Sequence, residues 1–152
     1  MAGKKEQILA ALQKGYNMEV ETVVNYLSIS LDMEGVRADF IKQALAADIQ
    51  GELSHAQQLG NRIKQLGGNV PGSTTLKMTQ SYLQPPSDTT DVVTVIRGVI
   101  AAEDAAIEHY RMLAKLTDGE DYVTQELVIR IMSDEEGHRQ TFHGYLKEYA
   151  KS

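Results

Sequence analysis

A chain of 152 residues, 42% hydrophobic and 24% charged, has room for one domain over 1–152 with one core, and is short of what two would need. Its formal charge of -6 argues against nucleic acid as a partner, because duplex affinity rests on neutralising phosphates with Lys and Arg. Zero cysteines exclude disulfides, thiolate metal sites and cysteine nucleophiles, so any bound metal must be held by oxygen and nitrogen.

Four helices are predicted, over about 5–34, 37–66, 90–117 and 120–149, because the only prolines, Pro71, Pro85 and Pro86, sit in one central stretch. Gly35, the pair Gly67 and Gly68, and Gly119 stand where helix ends or turns are wanted. Each helix carries an inward stripe at steps of three and four. The first holds Leu9, Leu12, Tyr16, Glu19, Val23 and Tyr26, and the second Ile41, Leu45, Asp48, Glu52, His55 and Leu59. Short connections make the first and second helices, and the third and fourth, antiparallel hairpins. Some two dozen residues from Gly67 to about Thr89 separate the pairs, enough at about 3.3 Å per residue to cross a bundle of 30-residue helices. A short helical turn is expected inside this segment, between Leu76 and Leu83. The third stripe runs Val92, Ile96, Val99, Glu103, Ala106, Tyr110, Leu113, and the fourth Val128, Ile131, Glu135, His138, Phe142, Tyr145. The fold class is therefore all-α, a four-helix bundle with one long crossover between helices 2 and 3. With no long apolar run and no charged n-region leading into a secretory h-region, no membrane is expected and a cytoplasmic location is.

One pattern occurs twice. Glu19 and Tyr26 are followed by Glu52 and His55, and Glu103 and Tyr110 by Glu135 and His138; the offset between copies is 84 residues for the first two positions and 83 for the last two. The four glutamates lie near the middles of their helices, so they meet at one level whichever way each helix runs. Four carboxylates packed together in a core cannot all stay ionised. Two divalent cations balance their charge, with two neutral histidines completing the donor set. The i, i+3 spacing puts Glu and His on one face, within reach of one metal. Outside this set, Glu108, Asp134 and Glu136 read as a solvated face, and His109 and His143 as surface or satisfied polar residues off the ligand stripe.

These residues, in NMEVETVVNY, ELSH, EDAAIEHY and DEEGH, make the chain resemble the ferritin-like superfamily, and within it the bacterioferritins and the Dps-like mini-ferritins. The resemblance implies that Glu52 and Glu135 bridge two metals, while Glu19 with His55 and Glu103 with His138 each serve one. Glu21 rivals Glu19, but only Glu19 keeps the seven-residue step to its tyrosine. Asp134 is a candidate to orient His55, but its counterpart in the first half is Gly51, and Asp48, one turn earlier, is expected to substitute. Where bacterioferritin-like chains place a haem-ligating methionine, this one has Leu53, so no haem is expected.

The function implied is iron storage or detoxification, in which a dinuclear centre oxidises Fe(II) with O2 or H2O2; carboxylate and imidazole ligation suits two iron ions and also admits Mn or Zn. Two alternatives stand beside it: a di-iron or di-manganese oxidase or peroxidase of rubrerythrin-like type without a cage, and a redox-silent metal carrier. A homo-oligomeric cage is expected, of twelve chains rather than twenty-four. The resemblance to bacterioferritins implies a short fifth helix packed around a four-fold axis, but only 14 residues follow His138 (138 to 152), and they are needed to finish the fourth helix.

Overall fold

Three glycines turn the chain where helices end. Gly35, Gly67 and Gly119 have φ of 99°, 83° and 73°, the left-handed region that a side chain would strain. Between them the computed structural model, which describes residues 3–151, places α1 over Lys4–Asp32, α2 over Ala38–Gln65, α3 over Val92–Leu116 and α4 over Tyr122–Tyr149. The third and fourth helices begin two residues later than predicted because aspartates cap them. Asp91 accepts from Thr94 N–H at 3.1 Å, and Asp121 from Thr124 N–H at 3.0 Å.

Both hairpins are present, and the segment between them joins them as a single long crossover. It climbs along α1 from the N-terminal to the C-terminal end, held at successive levels. Gln13 Nε2 donates to Asn69 O, Asn17 brackets Lys77 N and O, Glu21 receives Gln80 N–H, and Glu34 receives the Thr89 hydroxyl. The helical turn expected between Leu76 and Leu83 is not formed. Only isolated turns occur there, such as Leu83 N–H to Gln80 O, because α1 side chains already occupy the backbone groups a helix would use. Leu83 is fully buried, and at this level the crossover backbone lies so close to α3 that a Cβ on Gly98 would collide with Tyr82 O.

The interior of α1 is rotated from the predicted stripe. Leu9, Tyr16 and Val23 are half-buried, whereas Ile8, Gly15, Thr22 and Ile29 are buried beside Leu12, Glu19 and Tyr26. Small residues serve inside because large ones face them: a Cβ on Gly15 would lie 3.2 Å from the Tyr110 ring. Two apolar clusters fill the bundle. One gathers Tyr26, Ile29, Ile41, Leu45, Val95, Ile96, Val99 and Phe142, and the other Leu12, Leu59, Ile63, Tyr110, Leu113, Val128 and Ile131. Between them lies one polar level, with Glu19, Glu52, Glu103 and Glu135 all buried.

Candidate metal centre

The polar level contains two overlapping groups of donors. Glu19, Glu52, His55 and Glu135 offer atoms within 4.8 Å of one another, and so do Glu52, Glu103 and His138, so Glu52 belongs to both. Each helix supplies its share from mid-length, where the backbone is fully hydrogen-bonded and the side chains are held by the apolar layers above and below.

The two halves are interleaved. Tyr110 donates to Glu19 Oε1 at 2.5 Å and Tyr26 donates to Glu103 Oε1 at 3.1 Å, so each tyrosine serves the glutamate of the other half. Both rings are fully buried, and burial, reinforced by the adjacent carboxylates, pushes both phenols well above their ordinary range. They remain donors.

Each histidine has one nitrogen toward the carboxylates and one toward an aspartate. His55 turns Nε2 to Asp134 Oδ2 at 2.9 Å, with Nδ1 2.9 Å from Glu135 Oε1 and 3.7 Å from Glu19 Oε2. His138 turns Nε2 to Asp48 and Nδ1 to Glu103 Oε1 at 2.8 Å. The aspartates thus fix the outer nitrogen and leave Nδ1 aimed inward. His55 Nδ1 and Glu135 Oε1 are close but misaligned for a hydrogen bond. With Glu103 Oε2 they are buried atoms without a hydrogen-bond partner among the described residues, a condition that suits atoms able to ligate a cation.

Electrostatics follow from crowding. Burial pushes Glu52 well above the usual carboxylate range and the neighbouring Glu19 adds to it; burial does the same to Glu135, aided by the adjacent Glu103. Glu19 is also raised, by burial first and then by Glu135. Burial favours the neutral form of Glu103 too, but the adjacent Glu135 and the hydrogen bonds from His138 and Tyr26 outweigh it and hold that carboxyl below its ordinary value. Burial would depress both histidines. Contacts with Glu135, Glu19 and Glu52 instead raise His55, and hydrogen bonds to Asp48 and Glu103 push His138 up to about 10. Without metal, then, burial and crowding favour the protonated forms of Glu52 and Glu135, and the surrounding carboxylates favour the charged forms of both imidazoles.

Glu21 faces away from this level and accepts Gln80 N–H at 2.6 Å. His109 is buried but satisfied, with Nε2 2.8 Å from Ala11 O, while His143, Glu108 and Glu136 are exposed. Asp134, read as part of a solvated face, is exposed yet reaches His55. A buried amide network of Asn25, Gln80 and Thr22 was not foreseen, since nothing in the pattern of α1 distinguishes Asn25 from a solvated asparagine.

The Ferritin-like domain family matches residues 9–152. The bacterioferritin of Desulfovibrio desulfuricans is 27% identical over 147 residues, covering 91% of this chain and 75% of that protein. Among solved structures, a dodecameric thioferritin, the bacterioferritin-related protein of Bacteroides fragilis, superposes with a TM-score of 0.83 at 23% identity, covering 97% of this chain and 88% of the other. The Dps protein of Vibrio cholerae O1 gives a TM-score of 0.83 at 16% identity, over 94% and 91% of the two chains. Both structural likenesses concern the fold.

Proposed function

Because the chain belongs to the ferritin-like domain family, we propose that its polar level is a dinuclear ferroxidase centre serving iron storage or detoxification. The observation that carries this reading is the pair of donor groups joined through Glu52, with His55 Nδ1, Glu103 Oε2 and Glu135 Oε1 buried and unpartnered. Glu19, Glu52, His55 and Glu135 would hold one metal, and Glu52, Glu103, Glu135 and His138 the other. Oxygen and imidazole donors of this kind suit iron, and two bound irons supply a two-electron couple.

The substrate is Fe(II), and the balanced reaction with peroxide is 2 Fe(II) + H2O2 + 2 H+ to 2 Fe(III) + 2 H2O. The chain's residues prepare for it. Asp134 and Asp48 keep each imidazole turned with Nδ1 inward, and Tyr110 and Tyr26 hold Glu19 and Glu103 in place. Any protons held by the buried Glu52 and Glu135, whose neutral forms burial favours, would leave as cations bind.

A cage of identical chains completes the reading. Val24, Leu27 and Leu31 form a stripe on the outer face of α1 and are 49%, 50% and 73% exposed, a surface suited to burial against another copy. The dodecameric thioferritin shares the fold, and twelve chains is the assembly proposed here. Aerobic loading with excess Fe(II), followed by size exclusion with light scattering and iron analysis, tests both parts. Iron retained far beyond two per chain in a twelve-chain particle is expected. Retention of about two per chain in a dimer would instead favour an oxidase or peroxidase that keeps its metals.

A further inference from the structure

The internal repeat leaves a gap on one side of the centre. Asp134, next to Glu135, holds His55; its counterpart at the 83-residue offset is Gly51, next to Glu52, and the carboxylate that holds His138 comes from Asp48 instead. Among the described residues nothing lies within 4 Å of a Cβ built on Gly51, so no close backbone approach requires a glycine there. In mid-helix a glycine is less favourable than alanine, so its presence there is not explained by helix propensity. Gly137, on the facing helix α4, is equally unobstructed. A cavity of about 230 Å³ opens between α2 and α4, lined by Ala47, Asp48, Gly51, His55, Asp134 and His138, and it reaches Glu52 and Glu135.

Exposure falls steadily along this path. The side chains of Asp134 and Asp48 are 68% and 33% exposed, those of His138 and His55 16% and 8%, and those of Glu103 and Glu135 2% each. Tyr26 and Tyr110, which hold Glu103 and Glu19, are fully buried. From this we infer that Gly51 keeps open the port between α2 and α4 through which a hydrated divalent cation reaches the centre. Asp48 and Asp134 at its rim offer it acidic oxygens, and the missing side chain at 51 lets the cation pass without a helix having to move. The inference rests on the metal-centre reading and adds the route by which the centre is filled.

The test uses Co(II) and the unmodified chain beside Gly51→Ala, Gly51→Leu and the control Gly144→Leu, whose position on α4 is exposed and also unobstructed. Association is followed by stopped-flow tyrosine fluorescence and affinity by equilibrium titration, with helix content checked by circular dichroism. Cations enter and leave by the same path, so a plug slows both directions. Association should slow in the order Gly, Ala, Leu, by about tenfold or more for Gly51→Leu, with Kd within about threefold and the control unchanged. Association at the unmodified rate in Gly51→Leu would overturn the port while leaving the centre in place. Weakened affinity at an unchanged association rate would overturn it too, assigning Gly51 to the geometry of the centre. Failure of the unmodified chain to bind Co(II) would remove the centre and its port together.

Discussion

Loading the centre should expel protons, and their number follows from the charges. In the metal-free chain burial and crowding favour protons on Glu52 and Glu135, and the surrounding carboxylates favour the charged forms of His55 and His138, so the expected state carries two carboxyl protons and two imidazolium rings. Two remaining carboxylate charges then offset two positive rings. After loading, four carboxylates offset two divalent cations, and both imidazoles must be neutral to ligate. The centre is neutral before and after only if about four protons leave for two metals. Zn(II) is the suitable perturbant because it undergoes no oxidation that would release or consume further protons. Anaerobic mixing in weakly buffered solution with a pH indicator, repeated as calorimetry in buffers of different ionisation enthalpy, counts them. The same count fixes the pH dependence. The combined affinity for both metals should rise by about four powers of ten per pH unit near neutrality, about 5.4 kcal/mol. The slope should flatten as pH nears about 10, where His138 loses its proton unaided. Release of one proton or none would mean that the buried carboxylates are already ionised, and would refute the electrostatic account of the metal-free chain.

Glu52→Ala removes a residue common to both donor groups, so metal analysis after Zn(II) loading and gel filtration should find neither metal retained, whereas Glu19→Ala should retain one; equal losses would break the shared role of Glu52. Gly98→Ala forces a Cβ against Tyr82 O and should cost about 1–3 kcal/mol in urea unfolding, with an unchanged midpoint contradicting the close approach of the crossover to α3. His109 is held below its ordinary value, by burial first and also by nearby Lys14, against the opposing bond to Ala11 O. It stays neutral in the fold where the unfolded chain would protonate it, so its contribution to stability is complete above about pH 6.5 and is lost as pH falls below that toward its folded value. The difference in unfolding free energy between the unmodified chain and His109→Gln should therefore shrink on acidification across that window, and a constant difference would refute it.

Periodicity made the bundle readable, because two of its consequences do not depend on packing detail. Stripes at steps of three and four select a face, and glycines mark the ends, so the level shared by Glu19, Glu52, Glu103 and Glu135 follows from counting along each helix. What counting cannot supply is the partner across the bundle. The crossed pairing of Tyr26 with Glu103 and Tyr110 with Glu19 depends on how the hairpins face each other, which no spacing within one helix encodes. The rotation of α1 was hidden for a related reason. Gly15 and Thr22 look like weak core residues until Tyr110 is known to fill the space opposite Gly15.

The crossover shows where local propensity loses to tertiary bonding. Leu76 to Leu83 carries apolar residues at spacings compatible with a helical turn, but a helix there would have to satisfy its own backbone. Asn17 and Glu21, which resemble ordinary solvated residues on α1, instead take Lys77 N, Lys77 O and Gln80 N into hydrogen bonds of 2.6 to 2.8 Å. Once those groups are claimed the segment gains nothing by coiling, since each satisfied bond contributes about as much in either conformation and α1 is already ordered. The extended path also places Leu83 in the apolar cluster beside Tyr26 and Phe142, a layer of packing that closes the bundle next to His138. The polar side chains of α1 that resemble ordinary solvated residues thus determine how the crossover packs beside the buried carboxylate level.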